Sequence, residues 1–219
     1  MTRFDSFSPE ALSFLAGLKA NNTKDWFTAN KATYERYVKG PGKDFAEAQS
    51  AALQDLTGTG HGSKVCRIHR DVRFSKDKTP YNAHLHIAFQ PVLPVAQPPM
   101  WFFGLSPGKL ALGCGVFGYE KQALVDFRAA MAGTAGRDLI ALTGDLRAAG
   151  CRIAEPELAR VPSGFDKDHP NEEALRRKGF AVWIDTDDPA FAVEPDVVAR
   201  TTHQFARLLP VFRLLSRLT

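Results

Sequence analysis

The chain has 219 residues, with 28 Lys and Arg against 24 Asp and Glu and a formal net charge of +4. With 44% hydrophobic and 24% charged residues it has a globular composition, which excludes an intrinsically disordered chain. The best apolar stretch, residues 101–117, is interrupted by Lys109 and falls short of the ~18 residues a membrane span needs. Asp5 and Glu10 beside Arg3 do not suit a secretory leader. The three cysteines, Cys66, Cys114 and Cys151, form no C-x-x-C pair, against a disulfide framework or a zinc ribbon. These features predict a cytoplasmic globular protein.

The first third reads as helical. Ser8-Pro9-Glu10 places a capping hydroxyl before a proline whose missing N–H costs nothing in the first turn. Leu12, Phe14, Leu15 and Leu18 then form an apolar face that stops at Asn21-Asn22. Asn22 or Thr23 caps a second predicted helix, where Trp26, Phe27, Asn30, Tyr34 and Val38 recur at spacings of three and four. Gly40-Pro41-Gly42 is expected to break it. A third helix is predicted over 44–56, followed by a flexible run at 58–62.

The middle reads as strands. Cys66, Ile68 and Arg70 alternate with Arg67, His69 and Asp71, and Leu85, Ile87 and Phe89 alternate with His84, His86 and Ala88. A proline-rich surface loop (Pro91, Pro94, Pro98, Pro99) precedes strands at about 100–105 and 109–117, which Ser106-Pro107-Gly108 joins as a turn. Four strands without intervening helices predict an antiparallel meander, because a parallel pair needs a crossover.

The last third returns to helix, over 120–131 and 135–149. A loop-and-helix insertion at 161–178 and a strand at 181–185 follow. The final helix, from about Pro195, has Val198, Thr201, Phe205, Leu208, Leu209, Phe212 and Leu215 on one stripe, and Pro210 is expected to kink or divide it. The predicted fold class is α+β, a single domain over 1–219 with a mainly antiparallel sheet flanked by helices.

The densest chemistry lies in RIHRDVRFSKDKTPY, residues 67–81, where Arg67, Arg70, Arg73, Lys76 and Lys78 face only Asp71 and Asp77. The planar fork of arginine suits phosphate or carboxylate, which makes this segment a candidate anion pocket. The competing reading is a salt-bridged loop whose arginines pair with acidic side chains. His84-x-His86 places two imidazoles on one strand face, with His69 or Asp71 nearby in sequence. Two histidines without a third fixed ligand do not specify a metal site, and no metal is assigned. In PSGFDKDHP, residues 162–170, Asp166, Asp168 and His169 are candidate acid–base groups. The alternative is that Asp168 or Asn171 caps a helix over 172–178 while Asp166 pairs with a basic side chain. Gly113-x-Gly115-x-x-Gly118 matches a dinucleotide fingerprint by letters but lacks a βαβ unit, and reads as bulge and turn glycine.

Three segments, FLAGLKANNTKDWFTANKATYE, RIHRDVRFSKDKTPYNAH and VPSGFDKDHPNEEALRRKGF, in this order and spacing, resemble the domain-of-unknown-function family numbered 2461, a bacterial group with some fungal members. The likeness covers nearly the whole chain. It rests on Asn21, Asn22, Lys24, Trp26 and Phe27, on the run from Arg70 to Tyr81 with His84 after it, and on the run from Gly164 to Pro170. Asn82 departs from the lysine the pattern carries there. The resemblance implies a fold and names no activity or cofactor.

The leading expectation is a small phosphorylated or otherwise anionic ligand. Arg67, Arg70, Asp71, Arg73, Lys76, Lys78, Tyr81 and His84 would hold it, and Asp166, Asp168 and His169 would move protons. The alternatives are a nucleic-acid-binding accessory protein, with Trp26, Phe74 or Tyr81 stacking on bases, and a partner-binding domain without catalysis. The basic and acidic motifs are expected to meet, and Trp26 is expected to pack at least partly against the sheet.

Overall fold

A computed structural model describes residues 4–218; Arg3, which precedes the acidic residues that do not suit a leader, lies outside them, as do the extreme ends of the predicted domain. The fold is α+β, with a six-stranded antiparallel sheet ordered β1-β2-β3-β4-β6-β5. Its strands are β1 (His61–Val65), β2 (Leu85–Pro91), β3 (Met100–Ser106), β4 (Lys109–Val116), β5 (Arg152–Ile153) and β6 (Phe180–Thr186). The run β2 to β4 is the expected meander, and β1 forms ahead of the place where its first strand was expected. The two-residue β5, which no sequence signal announced, pairs Arg152 with Trp183 and Ile153 with Val182. The chain divides into two compact units. One is Met1–Phe89 with Phe102–Leu112 and Asp185–Gln204, and the other is Gln90–Trp101 with Gly113–Ile184 and Phe205–Thr219.

In the first unit, α1 (Pro9–Ala20) begins after Ser8 as the proline signal requires and buries Phe14, Leu15 and Leu18. Thr23 caps α2 (Lys24–Ala29), its hydroxyl accepting the Trp26 N–H at 3.3 Å. The expected continuous helix to Val38 does not form, because the chain breaks at Asn30 and restarts as α3 (Lys31–Tyr34). Nor does Gly40-Pro41-Gly42 stop it. A π-helical turn over Glu35–Lys39, closed by the Gly40 N–H on the Glu35 carbonyl, runs directly into α4 (Gly40–Thr57). Pro41 has no N–H and crowds the turn before it, and the wider π turn gives its ring room without breaking the axis.

α4 ends at Gly58, whose φ of 79° supplies the left-handed cap. The chain therefore enters β1 at His61, inside the run expected to be flexible. The strand predicted at 66–71 is reduced to one bridge, His69 with Tyr81. Phe45 anchors the core, 5.3 Å from Phe7 and 4.5 Å from Phe103.

The second unit holds α5 (Lys121–Met131), α6 (Thr134–Ala148), α7 (Glu172–Leu175) and α9 (Leu209–Leu215), while α8 (Val197–Arg207) lies largely in the first. Pro210 sits in the first turn of α9, so the final helix divides as expected. The buried stripe uses Val197 and Val211 where the periodicity pointed to Val198 and Leu209. Trp101 is fully buried, 5.1 Å from Phe205 and 5.2 Å from Phe212. The lettered glycine motif serves close packing. A Cβ on Gly113 would meet the Trp183 ring at 2.6 Å, and Gly115, at φ 144°, lies against the Phe180 carbonyl.

Phe27 is buried, and its ring stacks on Tyr81 at 4.2 Å. Trp26 is half-buried, but on α1 rather than on the sheet: its ring is 5.5 Å from Phe14 and covers Gly17. Phe27→Ala is therefore expected to cost about 3–5 kcal/mol in chemical denaturation, as a full aromatic deletion does. Trp26→Ala, with only part of its ring buried, is expected to cost about 2 kcal/mol on the same scale. Equal losses would show that both rings bear the same load.

Candidate functional site

The segment between β1 and β2 is a narrow antiparallel ribbon that leaves the sheet and returns to it. The Cys66 N–H donates to the His86 carbonyl at 2.8 Å, Asn82 to Ile68 at 2.7 Å and Arg70 to Pro80 at 2.9 Å. Its return limb is held by α1–α2. Asn22 donates its Nδ2 to the Tyr81 carbonyl at 2.9 Å and accepts the Tyr81 N–H on Oδ1 at 3.0 Å. One amide side chain thus stands in for a sheet neighbour, and the Phe27 ring stacked on Tyr81 closes the same joint.

Beyond Arg70 and Pro80 the ribbon opens into a tip tied together by its own charges. Arg70 Nη1 donates to Asp77 Oδ2 at 2.6 Å, to the Thr79 carbonyl at 3.0 Å and to the Thr79 hydroxyl. Arg73 holds Asp71 in a fork, Nε at 2.9 Å and Nη2 at 2.7 Å, and Lys78 Nζ reaches the Val72 carbonyl at 3.0 Å. The Thr79 N–H and hydroxyl, with Arg70, hold the Asp77 carboxyl down at about 2. Arg73 lowers the Asp71 carboxyl in the same way. At this tip the salt-bridged reading of the sequence applies: both arginines are paired, and their partners lie within the segment.

Behind the tip lies a cavity of about 870 Å³. The ribbon contributes Arg67, His69, Arg70, Asp71 and Asn82 to its wall, the end of β1 contributes Lys64 and Val65, and Cys66 follows. The helical side contributes Tyr34, Lys39 and Lys43. The π turn carries Lys39, whose Nζ lies 2.9 Å from Glu35, to the edge of this wall. Lys43, Lys64 and Arg67 are exposed, and among the described residues their side-chain nitrogens make no hydrogen bond or close ion pair, although the charge of Arg67 helps to lower the Asp71 carboxyl in the same wall. Tyr34 is buried, and burial followed by the neighbouring Glu35 pushes its hydroxyl up to about 12, so it stays a proton donor at neutral pH.

Arg70 and Asn82 also line a smaller cavity of about 420 Å³ together with Lys19, Asn22, Tyr81 and His84. Of the eight binding residues read from the sequence, Arg67, Arg70, Asp71, Tyr81 and His84 therefore face these two cavities, whereas Arg73, Lys76 and Lys78 line neither. Tyr34, Lys39, Lys43 and Lys64 escaped the sequence reading. Lys39 and Lys43 are four residues apart on one helical path, a signal lost because Gly40-Pro41-Gly42 was read as a break.

His84 and His86 share a strand face as period two requires, their ring centroids 3.9 Å apart. Among the described residues no group of three or more His, Cys, Asp or Glu is placed to hold a metal ion. Desolvation, and secondarily Arg70, lowers the His84 pKa. The His86 ring lies over Gly104, where a Cβ would meet it at 3.0 Å. That cover, and then His84, lower the His86 pKa to about 4 although the residue's outer edge is exposed.

The acidic motif belongs to the other unit. Asp166 Oδ1 accepts the Asp168 N–H at 3.0 Å, and its carbonyl accepts the His169 N–H at 3.2 Å. His169 Nδ1 accepts the Asn171 N–H at 3.0 Å, which makes Nε2 the protonated nitrogen of the neutral ring. Neither Asp168 nor Asn171 makes a side-chain cap on α7, which ends at Leu175 rather than at 178. The Asn171 amide is buried and donates to the carbonyls of Met131 and Gly133 at 3.0 and 2.8 Å, so burial has redirected it from the helix end to the α5–α6 turn.

The chain belongs to the family of conserved hypothetical proteins DUF2461, which it matches over residues 10–213. No curated protein matches it. Among the described residues no helix is long and apolar enough to cross a membrane.

The histidine pair makes stability depend on pH. With its folded pKa lowered from 6.5 to about 4, His86 binds a proton more readily in the unfolded chain than in the folded one. Its contribution is therefore complete above about pH 6.5 and is lost as pH falls toward about 4. His86→Gln is expected to flatten the decline of Tm across that window relative to the unsubstituted protein. Parallel declines would assign the titration to other groups.

Proposed function

We propose that this member of the conserved hypothetical protein family binds a phosphorylated or comparably polyanionic ligand in the larger cavity, through Lys43, Lys64 and Arg67, with Arg70 at its edge. One observation carries the reading. Lys43, Lys64 and Arg67 face one concave space whose lining holds a single carboxylate, Asp71, and Arg73 already grips that carboxylate in a fork, while Arg70 is paired with Asp77 at the adjoining tip. Like charges gathered in excess of their counter-charge repel one another, and an anion reduces that cost while taking charge-assisted hydrogen bonds. The space is within the size range of small-molecule sites. Tyr34 adds a neutral hydroxyl donor to the same wall.

Thermal melts with pyrophosphate, against chloride at matched ionic strength, test the proposal. At about ten times Kd, a ligand confined to the native state adds about 1.4 kcal/mol, a rise of roughly 3–6 °C for a chain of this size. The triple variant Lys43→Ala, Lys64→Ala, Arg67→Ala is expected to keep or slightly raise its baseline Tm and to lose the increment. No increment in the unsubstituted protein, or an increment that survives in the triple variant, overturns the proposal.

A further inference from the structure

Phe74 is 96% exposed at the end of the tip. The loop holds its shape without it: the Ser75 N–H donates to the Val72 carbonyl at 3.3 Å, Lys78 reaches the same carbonyl, and Asp71 and Asp77 tie down the two arginines. Burying such a ring is worth about 1.5–3 kcal/mol, and this stabilisation is left unused on a segment that is otherwise fully engaged. The Arg73 guanidinium lies over the ring at 5.8 Å. Arg73 in turn grips Asp71, which lines the cationic cavity. The exposed ring and the cationic cavity are thus linked through two side chains.

Resting on the reading above, we infer that the polyanionic ligand is a single-stranded nucleic acid. Its phosphates enter the cavity of Lys43, Lys64 and Arg67, and one of its bases stacks on Phe74. An aromatic face beside a cationic track is the combination by which proteins hold single strands irrespective of sequence, the ring taking a base and the track taking the backbone. Three other partners fit less well. A lipid bilayer meets the ring and the outer cations Lys76 and Lys78 but, being flat, does not follow the charge into a concave space. A duplex is too wide and stiff to place phosphates inside a cavity of about 870 Å³. One isolated ring is far short of the roughly 800 Å² per partner that a stable protein interface covers.

Fluorescence anisotropy with labelled oligothymidylate and oligouridylate tests the inference on the full chain. Phe74→Ala is expected to weaken binding about tenfold, within the range for loss of one base–aromatic stack, with Tm unchanged because the ring is exposed. Phe74→Trp is expected to restore binding. The logarithm of affinity is expected to fall linearly with log salt, and Lys64→Ala to shallow that slope by about 0.7, one single-strand phosphate contact. Three results overturn it: no binding of either oligonucleotide, binding indifferent to Phe74, or equal competition by a duplex of the same length. Co-sedimentation of the protein with phosphatidylserine vesicles through Phe74, without oligonucleotide binding, would reassign the tip to a membrane surface. A pyrophosphate increment in Tm that depends on Lys43, Lys64 and Arg67 but is accompanied by no oligonucleotide binding leaves the anion site standing and removes only this inference.

Discussion

The candidate site depends on one joint, the paired hydrogen bonds between the Asn22 side chain and the backbone of Tyr81. A two-limbed excursion of the chain has no sheet beside it to satisfy its N–H and carbonyl groups, and in isolation it would fray. Asn22 supplies both missing partners from the far side of a gap of 59 residues, and the Phe27 ring stacked on Tyr81 at 4.2 Å keeps water from competing for them. With the return limb held there, Pro80 and Asn82 are placed to pair with Arg70 and Ile68, and the wall of both cavities follows. The joint explains why the residues of two sequence motifs belong together: one motif carries the amide and the ring, and the other carries the backbone they hold.

Charge in the basic segment is divided between two uses. At the tip each arginine is matched by a carboxylate of the same segment, and the more exposed pair, Arg73 with Asp71, adds little stability in water. Their effect is geometric, fixing the direction of the loop and of Phe74. In the cavity Lys43, Lys64 and Arg67 outnumber the one carboxylate of the lining, Asp71, which Arg73 already holds. The formal charge of +4 for the whole chain conceals this contrast, since neutralised and unneutralised cations count alike in it.

The helical wall of the cavity arises from an irregularity. Had α3 and α4 joined as a regular α-helix, Pro41 would have clashed with the preceding turn; had the glycines ended the helix, Lys39 and Lys43 would have belonged to a loop. The π turn over Glu35–Lys39 avoids both outcomes and advances the helix face by one residue, so that Tyr34, Lys39 and Lys43 line a single wall. A local backbone accommodation thereby sets the direction of two of the cations.

The helical first third, the meander from β2 to β4, the turn at Ser106-Pro107-Gly108 and the division at Pro210 were legible in the sequence, because each is written in local chemistry: a capping side chain, an apolar period, or a residue without an N–H. The basic segment was legible as a cluster for the same reason, and Arg67, Arg70, Asp71, Tyr81 and His84 of that reading do face the cavities. Tertiary structure alone decided which cations are paired and which are not, because pairing depends on side-chain direction, and that is set once the ribbon is pinned. It also decided that β1 forms at His61–Val65 rather than at 66–71, where alternation was clear but one limb had no neighbour to bond. Lys43 and Lys64 belong to the same class of fact. Each is an unremarkable surface lysine in its own element, and only the packing of α4 beside β1 turns both toward one space.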